Sequence, residues 1–163
     1  MNLIPEACFF TGHRLIEQEV CSELETALRR EVIGMIENGV TVFICGGALG
    51  FDTLAANVVL NLKKEYDIKL IMYLPCDRQY TGWEYSDILE YNRINSAADE
   101  IFYVSRGEKS PAVMKKRNKA MVEAADYGIC YFKNEKSGTA QTVRMAEKKG
   151  INIINLYDKI KAV

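Results

Sequence analysis

The segment FICGGALGFD, residues 43–52, ends an apolar run with three glycines and places an acid where a helix is expected to begin. Glycine loses more backbone entropy on folding than any other residue, so Gly46, Gly47 and Gly50 indicate a tight turn or a close backbone approach. A strand that passes through such a turn into a helix exposes N–H groups and the positive helix end to an anion. The segment therefore predicts a phosphate or ribose site that includes Asp52. A turn without a ligand, with Asp52 as a simple helix cap, is the alternative.

Glycine, hydroxyl and cationic residues also follow the first and fifth apolar segments: Gly12, His13, Arg14, Ser137, Gly138 and Thr139. Arg14 could hold a phosphate through two N–H groups, or it could be a surface charge. A single histidine is more often structural than catalytic, and a Ser-Gly-Thr segment at a helix start is more often a cap than a site. Two such turns at one sheet edge nevertheless favour a ligand site there.

The segment MKKRNKAM, which begins at Met114, carries four cations. A solvated helix face is the ordinary interpretation, but Arg117 and Asn118 fall early in the helix and close to the predicted site. Four aromatic residues follow the third apolar segment: Tyr80, Trp83, Tyr85 and Tyr91. They could stack on a base, although helix packing is the more common role of such residues.

Apolar runs and helical spacing alternate along the whole chain. Strands are predicted at residues 7–12, 41–45, 69–75, 100–104, 127–132 and 151–156, and helices at residues 17–39, 51–66, 83–98, 113–125 and 139–150. This order predicts one α/β domain over residues 1–163, with a mostly parallel sheet of about six strands. Ligands of such sheets bind beyond the carboxyl ends of the strands, where the strand order reverses. The glycine, hydroxyl and cationic residues described above follow the predicted strands, and we therefore expect them at that edge.

Composition excludes several classes of function. The chain has 163 residues, a net charge of −1, one histidine and five cysteines without a C-x-x-C spacing, which argues against a metal site. The N-terminal segment MNLIPEACFF lacks the basic region of a signal peptide, and the cysteines mostly lie in apolar runs. We therefore expect a cytoplasmic protein without a membrane partner. The near-neutral net charge argues against a nucleic-acid partner, because such binding rests on many phosphate contacts.

Four segments carry a family resemblance. CFFTGHR, GGALGFDTLAA, MKKRNKAMVEAAD and KSGTAQTV, in this order, resemble the YpsA-like branch of the SLOG superfamily. That superfamily groups the DNA-processing protein DprA (Smf) with the LOG cytokinin-activating phosphoribohydrolases. The resemblance spans roughly residues 6–156. It implies a single Rossmann-like, three-layer domain that binds nucleotides or nucleotide-derived ligands.

Two of these segments imply specific site residues. GGALGFD is similar to the S-G-x-A-x-G-[IV]-D segment of DprA, which implies that Gly47, Gly50 and Asp52 belong to the site. MKKRNKAM is similar to the M-H-x-R-K-x-x-M motif of LOG proteins. That similarity places the functional arginine of LOG at Arg117 and puts Asn118 where LOG has lysine.

The last segment departs from LOG. KSGTAQT is similar to the P-G-G-x-G-T-x-x-E motif, in which Gly138 and Thr139 match, but Thr142 stands where LOG has its catalytic glutamate. Glycosidic cleavage is assisted by an acid at such a position, whereas phosphate binding needs none. The departure indicates a pocket that holds a ligand without cleaving it.

The predicted function is therefore binding of a small nucleotide-type ligand at the carboxyl edge of the sheet, as a sensor or regulatory module. The cofactor is not identified, no metal is expected, and a homodimer is compatible with the sequence. One alternative is a nucleoside monophosphate phosphoribohydrolase that uses Asp52 or Glu123 as its acid. Another is a DprA-like protein that binds single-stranded DNA.

Overall fold

The computed structural model describes residues 6–133 and 136–160. Residues 1–5 lie outside the described residues. They are the first half of the segment MNLIPEACFF, from which we expected no signal peptide. Asn134 and Glu135, which precede the KSGTAQT segment, and residues 161–163, at the end of the predicted domain, also lie outside the described residues. Within the described residues, no helix combines the length and the apolar character that crossing a bilayer requires.

The predicted alternation of strands and helices is confirmed. The strands are β1 Glu6–Gly12, β2 Val40–Cys45, β3 Lys69–Leu74, β4 Glu100–Tyr103, β5 Tyr127–Tyr131 and β6 Asn152–Asn155. The helices are α1 Cys21–Glu37, α2 Phe51–Leu62, α3 Tyr85–Ala97, α4 Pro111–Ala124, α5 Gly138–Lys149 and α6 Leu156–Ile160. Two details differ from the prediction: a 3-10 turn, Gln18–Val20, precedes α1, and α6 replaces the end of the last predicted strand.

All six strands are parallel, in the order β4-β3-β2-β1-β5-β6. The chain builds outwards from β1 to β4 and then returns to the other side of β1 with β5 and β6. The strand order therefore reverses at β1, and a crevice opens between the carboxyl ends of β1 and β5. Ligands of open α/β sheets bind at such a switch point.

Helices cover both faces of the sheet, which confirms the three-layer architecture. Leu24, Leu28 and Val59, from α1 and α2, pack with Phe10 on one face, which α3 and α6 also cover. Met121 and other residues of α4 and α5 form a second core on the opposite face. Successive strand residues point to opposite faces, so both faces of β1 are buried and apolar.

Serine caps place α4 and α5 at the site edge of the sheet. The Ser110 hydroxyl accepts the N–H of Val113 at 3.2 Å, and Pro111 occupies the first position of α4. The Ser137 hydroxyl accepts the N–H of Ala140 at 3.1 Å at the start of α5. Each cap satisfies one otherwise unpaired N–H group and contributes about 1 kcal/mol to stability. The positive ends of both helices consequently lie at the carboxyl edge of the sheet.

Candidate functional site

A cavity of about 300 Å³, here called the central pocket, lies in the crevice between the ends of β1 and β5. Its lining residues are Thr11, Gly12, His13, Arg14, Ala48, Asp52, Met114, Arg117, Asn118, Met121, Ser137, Gly138 and Thr139. Most of the residues predicted from sequence are in this set. The fold therefore brings together segments that are up to 128 positions apart in the chain, from Thr11 to Thr139.

Gly46, Gly47 and Gly50 do not line the central pocket, because each lies against the protein itself. A Cβ on Gly46 would stand 2.6 Å from Nη1 of Arg117. Gly50 has a φ of +75°, and a Cβ there would stand 2.3 Å from the Arg14 carbonyl oxygen. A Cβ on Gly47 would stand 2.7 Å from Leu74 at the end of β3 and 3.0 Å from Oε1 of Gln79. The glycines of this turn thus allow the Arg117 side chain and the loop after β1 to pack closely against the backbone. Ala48 and Asp52 are the residues of this segment that line the pocket.

Arg117 enters the pocket from α4 and is only 4% exposed. Its Nη1 group donates to the Gly46 carbonyl, and its Nε group donates to Asn118 Oδ1 at 2.7 Å. Burial lowers the pKa of the Arg117 guanidinium, and the nearby Asp52 carboxylate raises it. An arginine remains charged under such conditions. Arg117 is therefore a fixed positive charge at the pocket floor.

Asp52 lies in the first turn of α2 and is only 6% exposed. Its Oδ2 atom accepts the N–H of Ala48 at 3.1 Å. Within the described residues, no lysine or arginine lies within ion-pair distance of this carboxylate. Burial raises the pKa of Asp52 to about 6, against the opposing effects of Arg117, the Ala48 N–H and Arg14. The pocket thus contains a desolvated carboxylate that the protein compensates only in part.

The N-terminus of α5 forms the wall of the pocket nearest to β5. Ser137 uses its hydroxyl as the cap, while the N–H groups of Gly138 and Thr139 have no partner among the described residues. Apart from its chain neighbours and the backbone of its own helix, no heavy atom of the described residues lies within 4 Å of the position that a Cβ of Gly138 would take. Unpaired N–H groups and the positive helix end make this turn suited to an anion.

His13 and Arg14 follow β1 and play different roles. Nε2 of His13 accepts the backbone N–H of Lys133 at 3.0 Å, and the His13 carbonyl accepts the N–H of Phe51 at 3.0 Å. His13 thereby joins the ends of β1 and β5 to the start of α2. Arg14 is exposed, and within ion-pair distance of it the described residues include no carboxylate. Its guanidinium is the more available of the two cationic groups in the pocket.

Of the positions relevant to acid catalysis, Thr142 and Glu123 lie outside the central pocket and Asp52 lines it. Thr142 is fully buried on α5, where its hydroxyl donates to the Gly138 carbonyl at 2.9 Å, and it does not line the pocket. Glu123 is exposed near the end of α4 and pairs with Lys119 at 3.9 Å, also outside the pocket. Among the described residues, Asp52 is thus the carboxyl group that lines the central pocket.

The aromatic residues after β3 mostly pack within the protein. Tyr91 is buried against the ring of Trp83, whereas Tyr85 is 75% exposed. The buried Gln79, which is hydrogen-bonded to Tyr91, was not predicted from the sequence. Its Nε2 donates to the Gly46 carbonyl at 3.1 Å, and its Oε1 accepts the Tyr91 hydroxyl at 3.1 Å. An amide among the aromatic residues of the segment DRQYTGW was the available signal.

A second cavity of about 430 Å³, here called the outer groove, adjoins the central pocket and shares Arg14, Met114, Asn118 and Gly138 with it. The residues added by the outer groove are Lys109, Ser110, Pro111, Lys115 and Gln141. Two lysines therefore line the groove together with the exposed Arg14, and Nζ of Lys109 donates to the Thr81 carbonyl at 2.7 Å. The described residues contain no group of three or more histidine, cysteine or acidic side chains that could hold a metal ion.

Comparison with known sequences identifies relatives across most of the chain. The model of the YspA SLOG family (YpsA) matches residues 9–157. UPF0398 proteins from Bacillus thuringiensis (strain Al Hakam) and Bacillus cereus (strain AH820) are each 32% identical over 136 residues. Each alignment covers 82% of this chain and 74% of the relative.

Comparison with solved structures finds the same fold in DNA processing protein A. The protein from Helicobacter pylori, whose single-stranded DNA binding mode has been described, has a TM-score of 0.66 at 22% identity. That match covers 91% of this chain and 64% of the other. The protein from Streptococcus pneumoniae has a TM-score of 0.64 at 17% identity. That match covers 91% of this chain and 49% of the other. This chain is thus similar to part of those longer chains.

The prediction that a nucleic-acid partner is unlikely is wrong, because a protein with a described single-stranded DNA binding mode has this fold. Net charge, on which that prediction rested, averages over the whole surface. Binding depends on the local field of a site, and here Arg14, Lys109 and Lys115 lie together beside the central pocket.

Proposed function

The chain belongs to the YspA SLOG family, and on that premise we propose that its central pocket binds a nucleotide or a nucleotide-derived ligand. The single observation that carries the proposal is the composition of the pocket wall. A helix N-terminus with unpaired N–H groups, an exposed arginine, a buried arginine and a buried carboxylate line the same cavity. These are the groups that bind a phosphate and a sugar.

In this proposal the phosphate of the nucleotide binds at the start of α5. The N–H groups of Gly138 and Thr139 supply neutral donors, and the helix end supplies a partial positive charge. Arg14 adds a full charge that can contact two phosphate oxygens. Arg117 contributes to the field from beneath, because Gly46 and Asn118 already engage its Nη1 and Nε groups.

The proposed role is that of a sensor or regulatory module in the cytoplasm, with binding in place of turnover. Thr142 is turned into α5 and Glu123 lies outside the pocket, so neither supports cleavage of a bound nucleotide. Asp52 remains available to a hydrolase, and an assay for base release distinguishes the two roles. Release of free base that is lost in an Asp52→Asn variant would establish the phosphoribohydrolase alternative.

A second candidate function is binding of single-stranded DNA, and the outer groove favours it. Lys109 and Lys115 extend the positive charge of Arg14 away from the central pocket. A strand with one phosphate at α5 could continue along these lysines. The fold that this chain shares with the Helicobacter pylori protein adds support at the level of architecture.

Calorimetric titration with adenosine 5′-monophosphate and with a dT oligonucleotide tests both candidates. An Arg14→Ala variant should lose about tenfold in affinity for the nucleotide, which corresponds to ~1.4 kcal/mol for a charge-assisted hydrogen bond. Arg30→Ala is the matched control, since Arg30 is an exposed arginine on α1. Absence of binding by a panel of nucleoside monophosphates would overturn the first candidate.

Two further variants separate the oligonucleotide from the mononucleotide. Replacing Lys109 and Lys115 with alanine should weaken oligonucleotide binding and its salt dependence, and should weaken mononucleotide binding much less, because the phosphate contacts at α5 and Arg14 remain. An oligonucleotide affinity that does not respond to salt or to these replacements would exclude the outer groove as a path for DNA.

A further inference from the structure

We propose that Asp52 selects for ribose, because its carboxylate accepts hydrogen bonds from the 2′- and 3′-hydroxyl groups of a ribonucleotide held in the central pocket. This inference rests on the proposed function. It assigns a sugar to the pocket and a role to a carboxylate that a phosphate site does not need.

The first observation is the state of the Asp52 side chain. One carboxylate oxygen, Oδ2, accepts the Ala48 N–H, and Oδ1 accepts no hydrogen bond from the described residues. Asp52 is nearly buried, yet it lines the cavity and makes no ion pair with a described lysine or arginine. The unused oxygen is not enclosed by protein, because among the described residues the only buried side-chain polar atom without a partner is Asn95 Oδ1. Donors that enter the cavity can therefore reach the Asp52 carboxylate, which burial makes a strong acceptor.

The second observation is that Arg117, the cation with the larger effect on the Asp52 carboxylate, has other partners. Arg117 gives its Nη1 group to the Gly46 carbonyl and its Nε group to Asn118. Gly46 allows this arrangement, since a Cβ there would stand 2.6 Å from Nη1. The protein thus holds the guanidinium close enough to moderate the charge of Asp52, but leaves the carboxylate oxygen free for another donor.

The third observation is the division of charge within the pocket. A carboxylate is an acceptor only and repels a phosphate, so the ligand must place neutral donors towards Asp52. The unpaired N–H groups of Gly138 and Thr139 attract the phosphate to a different wall. A ligand with an anion at one end and hydroxyl groups at the other satisfies both walls, and a ribose 5′-phosphate has this pattern.

The dimensions of the two cavities are consistent with this placement. At about 300 Å³ the central pocket is at the lower end of the range for ligand sites, which suits a sugar phosphate. The base would then extend into the outer groove, where Met114 and Pro111 offer apolar contacts. Hydroxyl groups of the sugar, rather than amino groups of the base, therefore face Asp52.

The test is calorimetric titration of the unmodified protein with adenosine 5′-monophosphate and its 2′-deoxy and 3′-deoxy analogues. We expect each analogue to bind about tenfold more weakly than the ribonucleotide. Equal affinities for all three would overturn the inference and leave the proposed function standing. Failure of all three and of the other nucleoside monophosphates to bind would overturn both. Because this comparison needs no variant, it does not depend on how a substitution affects folding.

An Asp52→Asn variant assigns the selectivity to this residue. Asparagine keeps an oxygen for the Ala48 N–H, so the turn should be preserved, which circular dichroism can verify. The variant should lose the tenfold preference for ribose and should bind the 2′-deoxy analogue at least as well as the unmodified protein does. Asp87→Asn is the matched control, since Asp87 is a first-turn acid of α3 that does not line the central pocket. A preference for ribose that survives in Asp52→Asn would show that another group makes the selection.

Discussion

Two strand-to-helix turns contribute to the lining of the central pocket, and they use glycine in different ways. The turn before α2 is crowded, because Gly46 lies against the Arg117 guanidinium and Gly50 lies against the Arg14 carbonyl oxygen. The turn before α5 is less crowded, since among the described residues no atom beyond the local chain lies within 4 Å of the position of a Gly138 Cβ. The first turn presents a carboxylate to the pocket, and the second presents N–H groups.

The difference shows that a glycine-rich turn is not by itself an anion site. Glycine permits a close approach, but the approaching group can be another part of the same chain. Before α2 that group is protein, and the turn becomes a rigid support for Asp52. Before α5 the turn stays open to the pocket, where we propose that a ligand binds. We therefore expect the first turn to contribute stability and the second to contribute affinity, and the following variants test this division.

The largest effect is expected at Gly50. Its φ of +75° disfavours a side chain, and a Cβ would stand 2.3 Å from a backbone oxygen that cannot move alone. Gly50→Ala should lower the free energy of unfolding by about 4 kcal/mol or more. Gly138→Ala, in the less crowded turn, should change it by less than about 0.5 kcal/mol and should weaken nucleotide binding. Urea denaturation of both variants measures the contrast, and equal losses of stability would contradict it.

A somewhat smaller effect is expected at Arg117. Replacing it with methionine keeps the volume but removes the charge that moderates Asp52, so stability at pH 7 should fall by about 3 kcal/mol. Arg14→Met, at the exposed arginine, should cost less than about 0.5 kcal/mol. Thermal unfolding at pH 7 compares the two. Similar stability of both variants would show that Arg117 belongs to the ligand alone.

The pH dependence of stability sharpens the role of Asp52. Burial raises its pKa to about 6 in the folded protein, above the value of an unfolded chain, so the folded state holds the proton more tightly. The stabilising contribution is therefore complete below pH ~4 and is lost as the pH rises to about 6. Asp52→Asn should remove this loss and should be more stable than the unmodified protein at pH 7, by on the order of 3 kcal/mol. Denaturation curves from pH 4 to pH 7 provide the measurement, and parallel profiles would refute it.

The smallest effect concerns the two serine caps. Ser110→Ala and Ser137→Ala should each cost about 1 kcal/mol of stability, because each loses one hydrogen bond to an N–H group. Only Ser137→Ala should also weaken binding of adenosine 5′-monophosphate, since α5 holds the proposed phosphate site. Equal affinities of the two variants would place the phosphate elsewhere.

Much of the fold was predictable because its elements have strong local patterns. The continuous apolar run of β2 and the helical spacing of Leu24, Leu28 and Val32 identify both kinds of element. The short α6 was not predictable, because five residues are too few to show a helical period. Helix starts were predicted less accurately than strands, as the serine cap at Ser110 was passed over.

The candidate site was predicted as a set of segments, not as contacts. Parallel strands place their carboxyl ends at one edge, so residues that follow them could be grouped from sequence. Thr11, Met114 and Met121 were missed, because an apolar or strand residue carries no sign that it faces a cavity. Gln79 was missed because its partners lie in other elements.

Sequence alone determines the order of strands and helices, and it groups at one edge of the sheet most of the residues that line the central pocket. It does so because these features follow from periodicities within short segments. Which glycines lie against other parts of the protein was decided only by the tertiary structure. The hydrogen bond from Arg117 to the Gly46 carbonyl joins residues 71 positions apart, and no local pattern specifies that approach. A glycine indicates that space is needed, whereas the group that fills the space depends on how distant segments pack.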